Sequence, residues 1–299
     1  IGNNALLRIA ARFAEQAEAM AHEEDDPRIR RRLLRMAVAA RRVPARSART
    51  FYEALGVIMF MRHILAGLEG LGESIYGHLD RMLQPYLEAD LAAGRITMEE
   101  AEDLLQSFLA VTDTKFDIRN QSGVTSTTIM IGGCDREGTS VFNDVTRMVI
   151  SAYPALELVN PELNARLSQD HPDEYFEMLA DLSARGMNVT ALFNDEVLIE
   201  ANTRMGKALE DARLYVGGGC QENVLQNIEI NSRASIYTNL AKVFLMGFLP
   251  GKWQSYTDLH GLEIQPYAGA ESYEELHERV LANLKTVADQ LIGQRNARG

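Results

Sequence analysis

Cys220 closes a run of three glycines, Gly217-Gly218-Gly219, and is followed by Gln221 and Glu222. A thiol and a carboxylate two residues apart lie on the same side of an extended segment. The glycines allow backbone angles that other residues resist and a close approach to a ligand. Such a pair offers a sulfur for bond-making with an acid–base group beside it, and Gln221 and Asn223 add amide donors and acceptors. From spacing alone Cys220 stays open between a site and a packed residue, because free cysteine is among the most buried residue types. A two-electron thiolate fits poorly: it needs a cation or histidine to depress the thiol pKa, and this loop supplies a carboxylate, which raises it. Cys134, in Gly132-Gly133-Cys134-Asp135, is read as a structural residue in a turn.

Other chemistries lack their residues. The histidines, including His63, His78 and His260, show no metal-ligand spacing such as His-Glu-x-x-His. Gly206-Lys207 is followed by Ala208, the triple glycine lacks G-x-G-x-x-G spacing, and no G-x-S-x-G elbow is found. No metal site is therefore expected.

The elements that must position the loop follow from periodicity. Asp26-Pro27 starts a helix carrying Ile29, Leu33, Met36 and Ala40, and Thr50 with Glu53 caps a second that runs to about Gly67. A third helix is expected over 75–92 and a fourth from Thr97 and Glu100. After residue 115 short apolar runs alternate with helices: a strand at 127–131, a helix at 140–153, a strand at 156–159, a helix at 173–185, a strand at 189–193 and a helix at 195–209. A strand at 214–216 then enters the glycines, a polar stretch to 233 has neither period, a helix spans 234–249, a Gly/Pro-rich loop follows, and Ser272 with Glu275 caps the last helix. This alternation predicts an α/β fold with a helix-covered sheet or barrel. The expected division is a helical region at 1–114 and an α/β region at 115–299 that carries the cysteine loop, 217–233.

The 299 residues are 46% hydrophobic and 24% charged, with ample core material. A net charge of −12 argues against nucleic acid or an acidic membrane as partner, since both need a positive field. The arginine-rich run 28–49 follows the acidic run 23–26 and reads as a solvated helix face. Two cysteines make no disulfide framework, and no apolar stretch reaches a membrane span, so a cytoplasmic protein is expected.

Collinear motifs extend this reading. Arg49-Thr50-Phe51-Tyr52-Glu53-Ala54-Leu55 is followed by Leu79-Asp80, Pro85-Tyr86, Gly94-Arg95-Ile96-Thr97, Ile131-Gly132-Gly133, Pro161-Glu162-Leu163 with Arg166, Phe193-Asn194-Asp195 and Gly219-Cys220-Gln221-Glu222. In that order, over about residues 44 to 292, the chain resembles the glycyl-radical enzymes of the pyruvate formate-lyase family. The resemblance implies half of a ten-stranded α/β barrel with an N-terminal helical region. It also implies Cys220 as the thiyl-radical cysteine, Glu222 as general base, and Gln221 and Asn194 as substrate-binding residues. A base in a closed pocket would have its pKa raised by desolvation.

The implied cofactor is a protein glycyl radical on a residue outside this chain, installed by an activating enzyme bearing S-adenosylmethionine and an iron–sulfur cluster. No bound cofactor is implied in this chain. The partners are a small-molecule substrate, the activating enzyme and a second copy in a homodimer. Two adjacent cysteines mark the acetyltransferases of the family, and Cys220 is flanked by Gly219 and Gln221, which points to a lyase, dehydratase or decarboxylase. The Arg-Val-x-Gly-Tyr-like radical loop is not present, and Arg298-Gly299 does not replace it, so the segment alone is expected to be inert. The competing reading is a non-catalytic α/β scaffold with a packed cysteine.

Overall fold

The computed structural model of the chain describes residues 2–68, 74–112, 127–218, 222–226, 228–229 and 238–296. Two helices open it, α1 (Gly2–Glu23) and α2 (Pro27–Arg42). The Asp26 carboxylate caps α2 by accepting from the Arg28 amide at 2.8 Å, and Pro27 occupies the first turn, where its missing N–H costs nothing. The buried residues of α1 are alanines, Ala10, Ala14, Ala17 and Ala21, three or four positions apart, and this small stripe lets α2 approach closely. Arg41 pairs with Glu18 across the two helices at 2.5 Å.

α3 (Phe51–Leu68), α4 (Leu79–Ala92) and α5 (Met98–Thr112) follow. The Thr97–Glu100 capping box closes in both directions, at 3.2 and 2.9 Å. Thr50 caps Glu53 at 3.2 Å, but the Glu53 carboxylate reaches back one residue further, to the Arg49 amide at 2.7 Å.

Four strands form a parallel sheet in the order β1 (Ser74–His78), β2 (Thr127–Gly132), β3 (Glu162–Leu167) and β4 (Thr190–Asn194). The first corrects the helix expected over 75–92. Ser74 and Ile75 pair with Thr127 and Thr128, Tyr76 enters the core, and the helix begins only at Leu79, after Gly77 at φ +71°. The strand expected at 156–159 is also corrected. α6 (Asp144–Leu156) absorbs Leu156, Val159 is 77% exposed, and β3 starts beyond Pro161.

α7 (Asp173–Ala184) packs beside α6. The helix expected at 195–209 is two pieces, α8 (Asp195–Arg204) and α9 (Leu209–Ala212), separated at Gly206, whose φ is +86°. β5 (Tyr215–Gly217) and β6 (Asn223–Leu225) then form an antiparallel hairpin, the second strand lying in the stretch that showed no period.

The two faces of the sheet differ. Ile129, Ile131, Leu163 and Ala165 join Phe51, Leu83, Leu105, Val149 and Tyr153 in one core on the helix side. Met130, Ala191 and Phe193 form a second cluster with Tyr215, Val216 and Leu225 of the hairpin. The hairpin therefore takes the place on its face that helices take on the other. These elements make up one compact unit, residues 1–230, to which the region before residue 114 contributes β1.

Residues 231–299 form the other unit, with α10 (Leu240–Phe248), α11 (Pro250–His260) and α12 (Tyr273–Asn296). α11 replaces the loop expected there, since Pro250 stands where a proline favours a helix start. Asn283, fully buried on α12, accepts from the Gln265 amide at 2.7 Å and donates to its carbonyl at 2.9 Å. Both backbone groups of a connecting segment are thereby satisfied.

Asp80, in the first turn of α4, is fully buried and accepts from Gly132 N (2.8 Å), Arg81 N (2.7 Å) and Thr146 Oγ1 (3.0 Å). It joins α4, β2 and α6. Burial pushes its carboxyl up to about 6 despite those hydrogen bonds. A raised folded-state pKa means that the protonated form favours folding, and this contribution is lost as pH rises from the ordinary 3.8 through about 6. Asp80→Asn is expected to remove about 3 kcal/mol of pH dependence from the unfolding free energy in that window, measured by urea denaturation across a pH series. An unchanged slope contradicts the assignment.

Candidate active site

Side chains alternate along a strand, so Glu162, Asn164 and Arg166 of β3 share the face opposite Leu163 and Ala165. Each of the three meets a different level of the β5–β6 hairpin. At the root, Arg166 is fully buried and holds Asp195 through two bonds, Nε to Oδ1 and Nη2 to Oδ2, both 2.7 Å. The same Oδ1 accepts from the Tyr215 hydroxyl at 2.7 Å, and the Arg166 guanidinium lies 4.2 Å from the centre of the Tyr215 ring. Halfway along, Asn164 Nδ2 donates to the Gly217 carbonyl at 3.3 Å. At the far end, burial and then the charge of Glu222 raise the Glu162 carboxyl.

The titratable groups at the root keep fixed roles. Burial raises the Tyr215 phenol far above physiological pH, with Arg166 opposing and Asp195 reinforcing, so the hydroxyl stays a donor. His78, 1% exposed at the end of β1, donates from Nε2 to the Leu214 carbonyl at 3.4 Å. Burial first, then the cations Arg166 and Arg81, hold it well below its ordinary pKa and therefore neutral. His78 thus anchors the entry to the hairpin.

Gly218 N donates to the Glu222 carbonyl at 2.6 Å, which extends the pairing of the two strands by one step beyond Gly217 and Asn223. A Cβ on Gly217 would lie 2.6 Å from Phe193 Cζ and 2.7 Å from Asn164 Nδ2, so only glycine lets the strand lie this close to the sheet. A Cβ on Gly218 would meet Glu222 Oε2 at 2.9 Å, so the Glu222 carboxylate lies against Gly218. Glu222 itself is exposed, and Cys220 and Gln221 lie outside the described residues.

The remaining sequence candidates fall elsewhere. Asn194 is exposed, and its side-chain oxygen accepts from the Val197 amide at 3.0 Å, capping α8 and setting Asp195 at the first helical position. Cys134 is buried, 3.8 Å from Arg166 Nη2, and burial raises its thiol pKa. It packs against the ion pair as a neutral thiol. Among the described residues no group of three or more His, Cys, Asp or Glu comes together to hold a metal ion, and no helix is long and apolar enough to cross a membrane. Arg166, Asp195 and Tyr215 all stand in or next to the collinear motifs, but nothing in their spacing reveals that they meet.

The pyruvate formate lyase-like family model matches residues 1–298. The chain belongs to that family. Curated relatives include the (2S)-3-sulfopropanediol dehydratase of Klebsiella oxytoca, 27% identical over 98% of this chain and 36% of the relative. The trans-4-hydroxy-L-proline dehydratase of Clostridioides difficile is 26% identical over 97% of this chain and 38% of the relative. A glycyl radical enzyme from Archaeoglobus fulgidus superposes with a TM-score of 0.81 at 24% identity, over 97% of this chain and 38% of that one. The chain spans about a third of the length of these pyruvate formate lyase-like relatives. The α/β fold with its parallel sheet is thus the fold of the glycyl radical enzymes.

Gly217→Ala tests the close approach of hairpin and sheet. The methyl is expected to push β5 off Phe193 and to cost roughly 1–3 kcal/mol, read as a lower denaturation midpoint. A midpoint equal to wild type contradicts the packing described.

Proposed function

We propose that this chain is the cysteine-loop portion of a glycyl-radical lyase, dehydratase or decarboxylase acting on a small organic substrate. The observation that carries the reading is the hairpin. Its root is buried and tied to the sheet through Tyr215 and Gly217, and its two strands are still bonded at Gly218 and Glu222, which flank residue 220 in the sequence. A thiol at such a tip suits one-electron chemistry, which needs a sulfur held on a rigid support and shielded from solvent. In the whole protein the four-stranded sheet forms part of a half-barrel of a ten-stranded barrel, and the hairpin enters its interior.

The glycyl radical, on a residue outside this chain and installed by a radical-SAM activating enzyme, supplies the unpaired electron. Cys220 gives up its hydrogen atom, the thiyl takes one from a substrate carbon, and the S–H bond re-forms. Glu222 accepts the proton of a neighbouring substrate hydroxyl as the leaving group departs, and the thiol then returns a hydrogen atom to the product radical. The thiyl left on Cys220 finally takes back the hydrogen atom that the glycine had accepted, which regenerates the thiol and returns the spin to the glycyl residue, so atoms and spin balance. Gln221 orients the substrate from the same tip. Asn194 contributes through the amide group that helix capping does not use. The protein works as a cytoplasmic homodimer. The segment alone is inert, since the radical residue is not part of it.

Anaerobic activation of the full-length protein is expected to produce a glycyl electron paramagnetic resonance signal. Cys220→Ala should keep that signal and lose turnover by at least about a thousand-fold. Turnover retained in the variant sinks the assignment and leaves a packed cysteine on a scaffold as the better reading.

A further inference from the structure

The hairpin packs on the sheet through an apolar cluster of Met130, Ala191, Phe193, Val216 and Leu225. Its root also carries a buried charged group. Arg166 and Asp195 are 0% and 2% exposed, from β3 and the start of α8, and both converge on Tyr215, two residues before the buried Gly217. Arg166 Nη1 is buried with no hydrogen-bond partner, so the guanidinium is not arranged to satisfy its own donors. It is arranged to hold Asp195 in two places and to lie across the Tyr215 ring.

We infer that Tyr215, clamped by the Arg166–Asp195 pair, is the positioning residue that fixes where the two strands flanking the cysteine loop stand on the sheet. The inference rests on the function proposed above and adds a residue to it. The geometry supplies the leverage. Tyr215 pairs with Leu225, and Gly217 with Asn223, so the strand that carries Tyr215 and the strand that follows the tip move together. Beyond the clamp Asn164 donates to the Gly217 carbonyl at 3.3 Å, and the glycines 217–219 have no side chains of their own to lock. A shift at Tyr215 therefore passes down the strand to the tip. Hydrogen-atom transfer requires near-contact of the reacting atoms, so a displacement of about 1 Å lowers the rate steeply.

Tyr215→Phe removes one buried hydroxyl and leaves the ring under Arg166. In the activated full-length protein it is expected to lower kcat about 10- to 100-fold with KM within about two-fold of wild type and an unchanged glycyl radical signal, because the hydroxyl is buried and engaged by Asp195. The deuterium isotope effect on turnover should rise as hydrogen abstraction becomes rate-limiting. On the unactivated protein, amide exchange at Val216 and Val224 should quicken at least about ten-fold, and Asp195→Asn should do the same; this readout does not depend on activity. Wild-type exchange at both amides in both variants, or wild-type kcat in Tyr215→Phe, overturns the inference. If Cys220→Ala is inactive while Tyr215→Phe turns over normally, the clamp is wrong and the radical assignment stands. If Cys220→Ala turns over, the radical assignment itself has failed.

Discussion

A buried Arg166–Asp195 ion pair, closed by the hydroxyl of Tyr215, is the interaction on which the rest of the cysteine hairpin depends. Taking both charges out of water is expensive, and apolar residues of similar volume often serve stability as well or better. What an ion pair supplies that leucines do not is direction. Two parallel bonds fix the guanidinium plane, the plane fixes the face of the Tyr215 ring, and the shared Oδ1 fixes the hydroxyl. The root of the hairpin thus has one register on the sheet, where an apolar contact would have tolerated several.

The sheet is built around this requirement. Its helix side is an ordinary packed core, in which Ile129, Ile131, Leu163 and Ala165 meet apolar side chains from four helices or more. On its hairpin side β3 offers a column of three polar residues, of which two hold the hairpin, Arg166 against the Tyr215 ring and Asn164 on the Gly217 carbonyl, while the third, Glu162, feels the like charge of Glu222. Neutral His78 adds a third tie, from β1 to the Leu214 carbonyl. The helical layer meanwhile is tied to β2 through Asp80, which joins α4, α6 and the Gly132 amide. Strands, helices and hairpin are in this way linked by named polar contacts as well as by burial.

The same asymmetry explains which parts were legible in the sequence. Helices with caps and a single apolar stripe were readable, as at Asp26-Pro27 and Thr97–Glu100. So was β2, whose Thr-Thr-Ile-Met-Ile run is buried on both faces. β3 was not, because Glu-Leu-Asn-Ala-Arg-Leu carries buried polar residues where a core strand carries apolar ones, and the more apolar Leu156–Val159 drew the expectation instead. The column that grips the hairpin is the reason the strand was hidden. β1 was missed for another reason: Ser74–His78 precedes a true helix directly, and only pairing with β2 distinguishes the two. The glycine run singles out Cys220 and Glu222 as candidates, and the family motifs cover Arg166 and Asp195. That Arg166, Asp195 and Tyr215 meet, 29 and 20 residues apart in sequence, depends on the fold alone.

The measurement that bears most directly on this account is a crystal structure of the full-length protein grown anaerobically with its substrate. The account predicts the Cys220 sulfur at the end of the hairpin in an enclosed cavity, in van der Waals contact with a substrate carbon at about 4 Å, with the Glu222 carboxylate facing the same cavity. A Cys220 sulfur packed among Met130, Phe193 and Leu225, turned away from any bound molecule, would contradict it.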